Sequence, residues 1–287
     1  MTDVKSPPRK LRRRTAPGEL LRYAMIAGVG LFAVFPFYIM FKSAFEPFTD
    51  IMSTELRLVP ANWFYFDNFI RLFTRHYIIS WLLNSLFVTV MAILANLIFD
   101  VAAAYALARV PFRGQSAVLV IIVSTLMIPI QIIIVPLYIF MVNLEWVDNY
   151  WGLIVPNLIS PFGIFFLRQS FLMIPKELDE AAIVDGAGRM RIMRSIILPN
   201  SLSAIGTMTI IKFMWVWGDY IWPSLVIKSE ELRTLPVGIA LLESASGTIP
   251  WDMVMPASTI SVIPIIVLFL YFQRYFVKGL TEGALKG

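Results

Sequence analysis

The sequence predicts an all-α polytopic membrane protein, with six transmembrane helices and a helix-turn-helix on the cytoplasmic face. Three observations carry that class. Hydrophobic residues make up 58% of the 287 and charged residues 15%, at a mean hydropathy of +0.75, a balance foreign to soluble domains. Six apolar runs are each long enough to cross a hydrocarbon layer about 30 Å thick. Short alternating strands between aromatic girdles, the pattern of an outer-membrane barrel, are absent, so the runs must satisfy their backbones internally as helices.

The expected spans are 20–41, 77–107, 116–141, 151–167, 201–227 and 253–276. Ahead of the first lies a basic tail, "KSPPRKLRRR". The first run is longer than the roughly 7–15 residue core of a signal peptide, and no small-x-small cleavage site follows it, so it is expected to be retained. With the N-terminus inside, the inner segments hold 17 Lys or Arg, counting Arg22 at the start of the first span, and the outer segments hold six. That asymmetry places both ends in the cytoplasm. The tail then reads as an orientation signal resting on anionic lipid, and no nucleic-acid partner is expected.

Between the first two spans, "KSAFEPFTDIMSTELRLVPANWFYFDNFIRLFTRH" is too polar to span. Its "FDNFIRLF" part has helical apolar spacing and suits a short interfacial helix. His76, the one histidine, is expected to be an outer, solvated residue. Internal prolines at 129, 136, 156, 161 and 264 should bend the third, fourth and last spans, because proline removes a donor from the helical ladder.

Polar residues inside spans should face protein or water, since an ionisable group at mid-bilayer costs at least about 2.5 kcal/mol. They are Asn84, Asn96, Asp100, Gln131, Asn157, Lys212 and Asp219. Asp100 and Asp219 lie close enough to span ends to reach an interface instead. Lys212 has three readings: snorkelling, an inter-subunit pair, or a place on a pathway.

Several chemistries are excluded. There is no cysteine, so disulfides, thiolates and cysteine metal sites are impossible. No lysine follows a glycine, which removes the phosphate-cradling G-x-x-x-x-G-K-[ST] loop, and H-E-x-x-H needs two histidines. No G-x-S-x-G elbow is present. The chain is expected to carry no catalytic residue, metal or cofactor of its own.

The most charged stretch outside the tail is "KELDEAAIVDGAGRMRIMRSIILP", residues 176–199. Pro175 suits the first turn of a helix, and Glu177, Asp179 and Glu180 place negative charge at its N-terminus. Leu178, Ala181, Ala182 and Asp185 form a narrow face, which Gly186 and Gly188 end. A second helical segment sets Met190, Met193 and Ile197 on one side, with Arg191 and Arg194 on another, before Pro199 opens the next span. Small residues flanked by charge suit docking into a cleft of another protein.

The spacing Glu180-Ala181-Ala182, Gly186, Ile196, Leu198-Pro199 resembles the EAA loop of ABC importer membrane subunits. The stretches "NSLFVTVMAILANLIFDVAAAYALARVPFRG", "FFLRQSFLMIPKELDEAAIVDGAG" and "GLTEGALKG" resemble MalG-like carbohydrate importer permeases. The resemblance implies a permease domain over 20–276 with a coupling loop at 168–199, a cytoplasmic tail at 1–19 and another at 277–287. It implies a second homologous permease as heterodimer partner, two ATP-binding subunits that hold ATP and Mg, and an extracytoplasmic solute-binding protein, all at a bacterial inner membrane. Glu180, Ala181, Ala182, Asp185, Gly186, Arg189, Ile196, Leu198 and Pro199 would couple to an ATPase subunit. Gly279, Thr281, Lys286 and Gly287 would lie in a tail reaching between the ATPase subunits, and segment 243–251 would approach the binding protein.

For a hydroxyl-rich cargo, candidate cavity residues are Asn84, Gln131, Asn157, Trp215, Trp217 and Asp219, each of which packing would explain as well. Two rival readings stand. An ion-coupled transporter would use Asp100, Lys212 and Asp219, but no inverted repeat is evident. A membrane scaffold would not need the intramembrane polar groups.

Overall fold

The computed structural model describes residues 17–55, 57–242 and 248–284. The basic tail to residue 16, residues 243–247 of the segment 243–251, and Lys286 and Gly287 lie outside the described residues. Most of the described residues are helical, and there is no strand among them. Four continuous stretches are long and apolar enough to cross a membrane: Leu21–Ser43, Ile78–Arg109, Tyr150–Leu172 and Trp251–Gln273. Two bent helix pairs bring the number to six if each pair is one span.

Helix α1 (Pro17–Ser43) buries none of its apolar 18-residue stretch against the rest of the chain, only Lys42 and Ser43 at its end being buried. It touches the last helix, Trp251–Ala284, only along part of its length, as a helix can in lipid, where apolar side chains gain little by leaving acyl chains for each other. After the short α2 (Phe48–Ile51) comes α3 (Asp67–Arg75), the amphipathic helix expected from "FDNFIRLF". Its Leu72 is fully buried beside Trp81 and Trp217. His76 departs from expectation: it is half-buried, its ring 6.3 Å from that of Trp81, and burial pushes its pKa down. The sequence offers no sign of this, because the tryptophan that covers it belongs to the next helix.

Helix α4 (Ile78–Arg109) is the centre of the fold, packing against the later helices Pro161–Leu172, Leu202–Trp217 and Leu235–Ala240. Its alanines 92, 95, 104 and 108 are buried and allow close helix approach, the use that small residues find in membrane bundles.

The third expected span is two helices, α5 (Gln115–Thr125) and α6 (Ile130–Asn143), which meet at 97°. Pro129 caps α6 in an extended conformation and forces the residue before it out of the helical region. Proline at 129 thus breaks the span, while Pro136 sits inside α6.

The fourth is α7 (Tyr150–Ile154), one 3-10 turn at Val155–Asn157, and α8 (Pro161–Leu172). Pro156 and Pro161 begin the latter two, where a missing N–H costs least. Helices α9 (Glu177–Val184), α10 (Arg189–Ile192) and α11 (Leu198–Asn200) form the charged segment, with a π-helical stretch at Met193–Ile197.

Arg189–Asn200 meets Leu202–Val226 at 79°. That second arm comprises α12 (Leu202–Trp217) and α13 (Ile221–Val226), separated at Gly218. Finally α14 (Leu235–Ala240) leads to α15 (Trp251–Ala284), which contains Pro256 and Pro264 without a break. Gly238 lies flat against the Trp81 ring, so that a Cβ there would collide with it.

Candidate functional site

Two places in this fold concentrate polar chemistry. The first is the segment 176–199. Helix α9 carries Glu177, Asp179 and Glu180 in its first turn. It ends at Gly186, whose φ of +79° is left-handed. The Ala187 amide reaches back to the Ala182 carbonyl at 2.9 Å and the Gly186 amide to that of Ile183 at 3.0 Å, a glycine-dependent helix stop. Gly188 then caps α10 in an extended conformation. This is the helix-turn-helix expected from the sequence.

Its buried face differs from the expected one. Ile192 and Ile197 are buried, whereas Met190 is 57% exposed. The π-helical stretch explains the change: its i→i+5 bonding adds a residue to the turn and moves residues five apart onto a common side. Proline at 199 follows at the start of α11, unable to donate to a preceding carbonyl. Ile192 and Ile197 join Val101, Tyr105 and Ala108 of α4 and Leu167 and Phe171 of α8 in one apolar cluster.

Of the expected docking residues, Ala182, Ile196 and Leu198 lean on that cluster. Glu180, Ala181, Asp185, Gly186, Arg189 and Pro199 are exposed. They are accompanied by Ile183 and Val184, the latter 87% exposed, apolar surface that a lone chain would gain by covering. A cleft of 140 Å³ opens between the two helices, lined by Ala182, Asp185, Ala187, Arg191, Ile192, Ser195 and Ile196.

The second place is a polar cluster within the spans, where α4, α8 and α12 meet. Asp100 is fully buried. Its Oδ1 accepts from the Ser160 amide at 2.9 Å, and Ser160 Oγ in turn accepts from the Gly163 amide at 3.1 Å, starting α8. A Cβ on Gly163 would collide with Asp100 Oδ2. Asn96 Nδ2 donates to the carbonyls of Asn157 and Leu158 at 3.0 and 2.8 Å. Lys212, 5% exposed, donates from Nζ to Asn157 Oδ1 at 3.3 Å and shares with Asn96 the wall of a 10 Å³ cavity. Such a void is just large enough for one water. Asn96 Oδ1 and Asp100 Oδ2 have no hydrogen-bond partner. Lys212 therefore does not snorkel out; it points into protein among amides and a carboxylate.

The six candidate cavity residues are not brought together. Asn84 Nδ2 donates to the carbonyls of Glu231 and Arg233 at 2.7 and 2.9 Å, and its Oδ1 accepts from Tyr150 Oη at 2.6 Å. Trp217 is buried, stacked on Phe213, and donates to the Ser261 carbonyl at 3.1 Å. Asp219 Oδ1 accepts from the Trp222 amide at 3.4 Å. Gln131 and Trp215 are exposed on α6 and α12. Asn157 alone belongs to the polar cluster. Gly279 and Thr281 fall within α15.

Sequence reasoning missed three contributors. Arg109 entered only as a charge counted for topology, though its place at the end of the longest apolar run was a signal. Ser160 fell inside the expected span 151–167 and was not singled out. The pair Arg71 and Asp252, 2.8 Å apart and joining α3 to α15, is separated by 181 residues and left no local trace.

Residues 101–282 match the family model described as binding-protein-dependent transport system inner membrane component. The chain is 33% identical over 282 residues to the arabinooligosaccharide transport system permease protein AraQ of Halalkalibacterium halodurans, covering 96% of this chain and all of that one. It is 33% identical over 276 residues to the trehalose/maltose transport system permease protein MalG of Thermococcus litoralis, covering 93% and 98%. In fold it resembles a chain of a bacterial ABC transporter involved in import of the acidic polysaccharide alginate, with a TM-score of 0.80, 23% identity, and coverage of 96% and 100%.

Proposed function

The chain belongs to the family of binding-protein-dependent transport system inner membrane components, and from that premise we propose that it forms half of the pathway of an ATP-driven carbohydrate importer. It pairs with a second homologous permease. Two ATP-binding subunits, which hold ATP and Mg, dock on the pair from the cytoplasm, and a solute-binding protein delivers cargo from the other side. Both termini and the segment 176–199 face the cytoplasm, in keeping with the distribution of basic residues. The carbohydrate class is supported by the names of AraQ and MalG.

The observation that carries this reading is the helix-turn-helix itself. It projects an acidic and apolar face, Glu180, Ile183, Val184 and Asp185, while its other face is built into the spans through Ile192 and Ile197. Movement of an ATPase subunit against the exposed face would reach α4 and α8 through packed side chains. Alternating access then follows, with the broken spans α5–α6 and α11–α12 reorienting around a central path. Gly279, Thr281, Lys286 and Gly287 supply a second contact with the ATPase subunits.

Two substitutions test the docking. Gly186→Trp forces a bulky side chain into left-handed backbone with open space around it, and Glu180→Lys reverses an exposed charge. Both variants should insert normally yet lose co-purification with the ATPase or its stimulated hydrolysis. Normal behaviour in both assays would sink the assignment.

The two buried charges, Asp100 and Lys212, favour a second reading, ion coupling. Uptake into vesicles holding ATP and binding protein, with ion gradients collapsed, separates the two. Uptake that persists dismisses ion coupling, and uptake that stops dismisses the ATP-driven reading.

A further inference from the structure

One buried charge serves neither the docking face nor the intramembrane cluster. Arg109, the last residue of α4, has 3% of its side chain exposed. Its Nη2 donates to the carbonyls of Phe171 and Ile174, 2.6 Å from each. Phe171 lies in the last turn of α8 and Ile174 two residues past its end, where helix carbonyls run short of intrahelical partners. Charge-assisted bonds to such groups are stronger than neutral ones.

The other terminal nitrogen behaves differently. Nη1 lies 3.4 Å from Asp179 Oδ2 in the first turn of α9. Nη1, Nε and Asp179 Oδ1 have no hydrogen-bond partner. The guanidinium thus grips the end of α8 closely and α9 loosely. One turn back along α4, Tyr105 Oη donates to the Arg189 carbonyl at 3.0 Å, where α10 begins. The end of α4 therefore touches the segment before the loop, its first half and its second half. Apolar side chains of α4, α8 and α10 close around these contacts. A charge removed from water costs several kcal/mol unless it is compensated, so a topology signal alone does not account for an arginine here.

We propose that Arg109 is the positioning residue that carries movement between the segment 176–199 and α4, holding the end of α8 fast and leaving α9 a short travel against Asp179. The proposal rests on that segment being the surface on which an ATP-binding subunit docks. A lysine keeps the charge but lacks the fork that spans two carbonyls and a carboxylate. Asp179→Asn removes only the loose half of the contact.

The test uses the complete transporter in lipid nanodiscs and proteoliposomes, as wild type, Arg109→Lys and Asp179→Asn. In Arg109→Lys the subunits should assemble and ATP hydrolysis should stay within about twofold, while solute moved per ATP falls about fivefold or more, the range of a site-to-site coupling energy. Asp179→Asn should show a smaller fall. This chain has no cysteine, so with partner subunits freed of reactive cysteines, nitroxide labels at Arg113→Cys, in the turn just past α4, and Glu177→Cys, at the start of α9, report the distance from the end of α4 to α9. That distribution should be narrow in wild type and broad in Arg109→Lys.

Unchanged solute per ATP, or an unchanged distribution, overturns the proposal. So does loss of assembly in Arg109→Lys together with wild-type stoichiometry in Asp179→Asn, because Arg109 would then be only a contact of the fold. If the wild-type complex holds no ATP-binding subunit, the docking reading fails instead, and the label distances still decide whether Arg109 ties the loop to α4.

Discussion

Asn157 joins two helices that flank it in the chain, one contact 55 residues after it and the other 61 before: its Oδ1 accepts from Lys212 Nζ on α12 at 3.3 Å, and its backbone carbonyl accepts from Asn96 Nδ2 on α4. The 3-10 turn that contains Asn157 leaves its backbone free for this role. Irregular backbone at membrane depth is tolerated where protein surrounds it. Asp100 and Lys212 attract each other across the same junction.

Removing one of those two charges should hurt more than removing both. Lys212→Met leaves the Asp100 carboxylate buried with the Ser160 amide but without its nearby opposite charge, at a cost below the about 3–5 kcal/mol of breaking a contacting buried pair, and Lys212→Met with Asp100→Asn should recover most of the loss. Thermal unfolding of the three variants in detergent checks this. A double variant no better than the single would show that the two charges do not interact.

At Gly163 the test is steric. Valine there must displace the Asp100 carboxylate or the start of α8, and such overpacking costs about 1–3 kcal/mol. The measured quantity is the unfolding midpoint, with Gly188→Ala, a position with open space around it, as the control. A Gly163→Val variant as stable as that control would refute the close contact.

Asn84 is expected to act as a clip for the loop ahead of α14. Asn84→Leu leaves the Glu231 and Arg233 carbonyls and the Tyr150 hydroxyl short of a partner, a loss of about 2 kcal/mol. Hydrogen exchange should rise at 229–234 while the rest of α4 stays protected. Uniform exchange across the chain would instead mean global destabilisation.

The loop at Asp148 gives a pH dependence. Its Oδ1 accepts from the Lys228 and Ser229 amides at 2.9 and 2.8 Å, and its Oδ2 from the Ser229 hydroxyl. Burial raises its pKa, but those bonds and the Lys228 charge outweigh it and hold the carboxyl below its ordinary 3.8. With the folded value below the unfolded one, the contribution is complete above pH 3.8 and is lost only as pH falls further. Exchange of the Lys228 and Ser229 amides should therefore be flat from neutral pH to about 4, after correction for intrinsic rates, and accelerate below it. Asp148→Asn should remove that acceleration.

Much of the fold was legible because lipid leaves the backbone few choices. Run length placed α1, α4 and the start of α15 within a few residues, though α15 runs on to Ala284, past the expected end at 276, and Gly186 with Gly188 located the turn in the charged segment. The breaks were harder. Five prolines were expected to bend spans, yet Pro264 lies inside unbroken α15 while Pro129 divides its span at 97°. Whether a freed carbonyl finds a partner depends on the neighbouring helix, which local pattern does not describe. The register of the docking segment was missed for a similar reason: a π-helical stretch has no composition of its own.

By itself the sequence determined that this chain crosses a membrane several times, that it has neither cysteine nor a G-x-x-x-x-G-K-[ST] loop, and that residues 176–199 form a charged helix-turn-helix. Those properties follow from hydropathy, residue identity and short-range spacing. Only the tertiary structure decided which polar residues are spent on packing, as at Asn84 and Trp217, and which gather in one place, as at Asn96, Asp100, Asn157 and Lys212. It also decided that Arg109 binds the end of α8 and faces Asp179. Each of these depends on contacts between residues tens of positions or more apart in the chain, set by how the helices pack rather than by any local pattern.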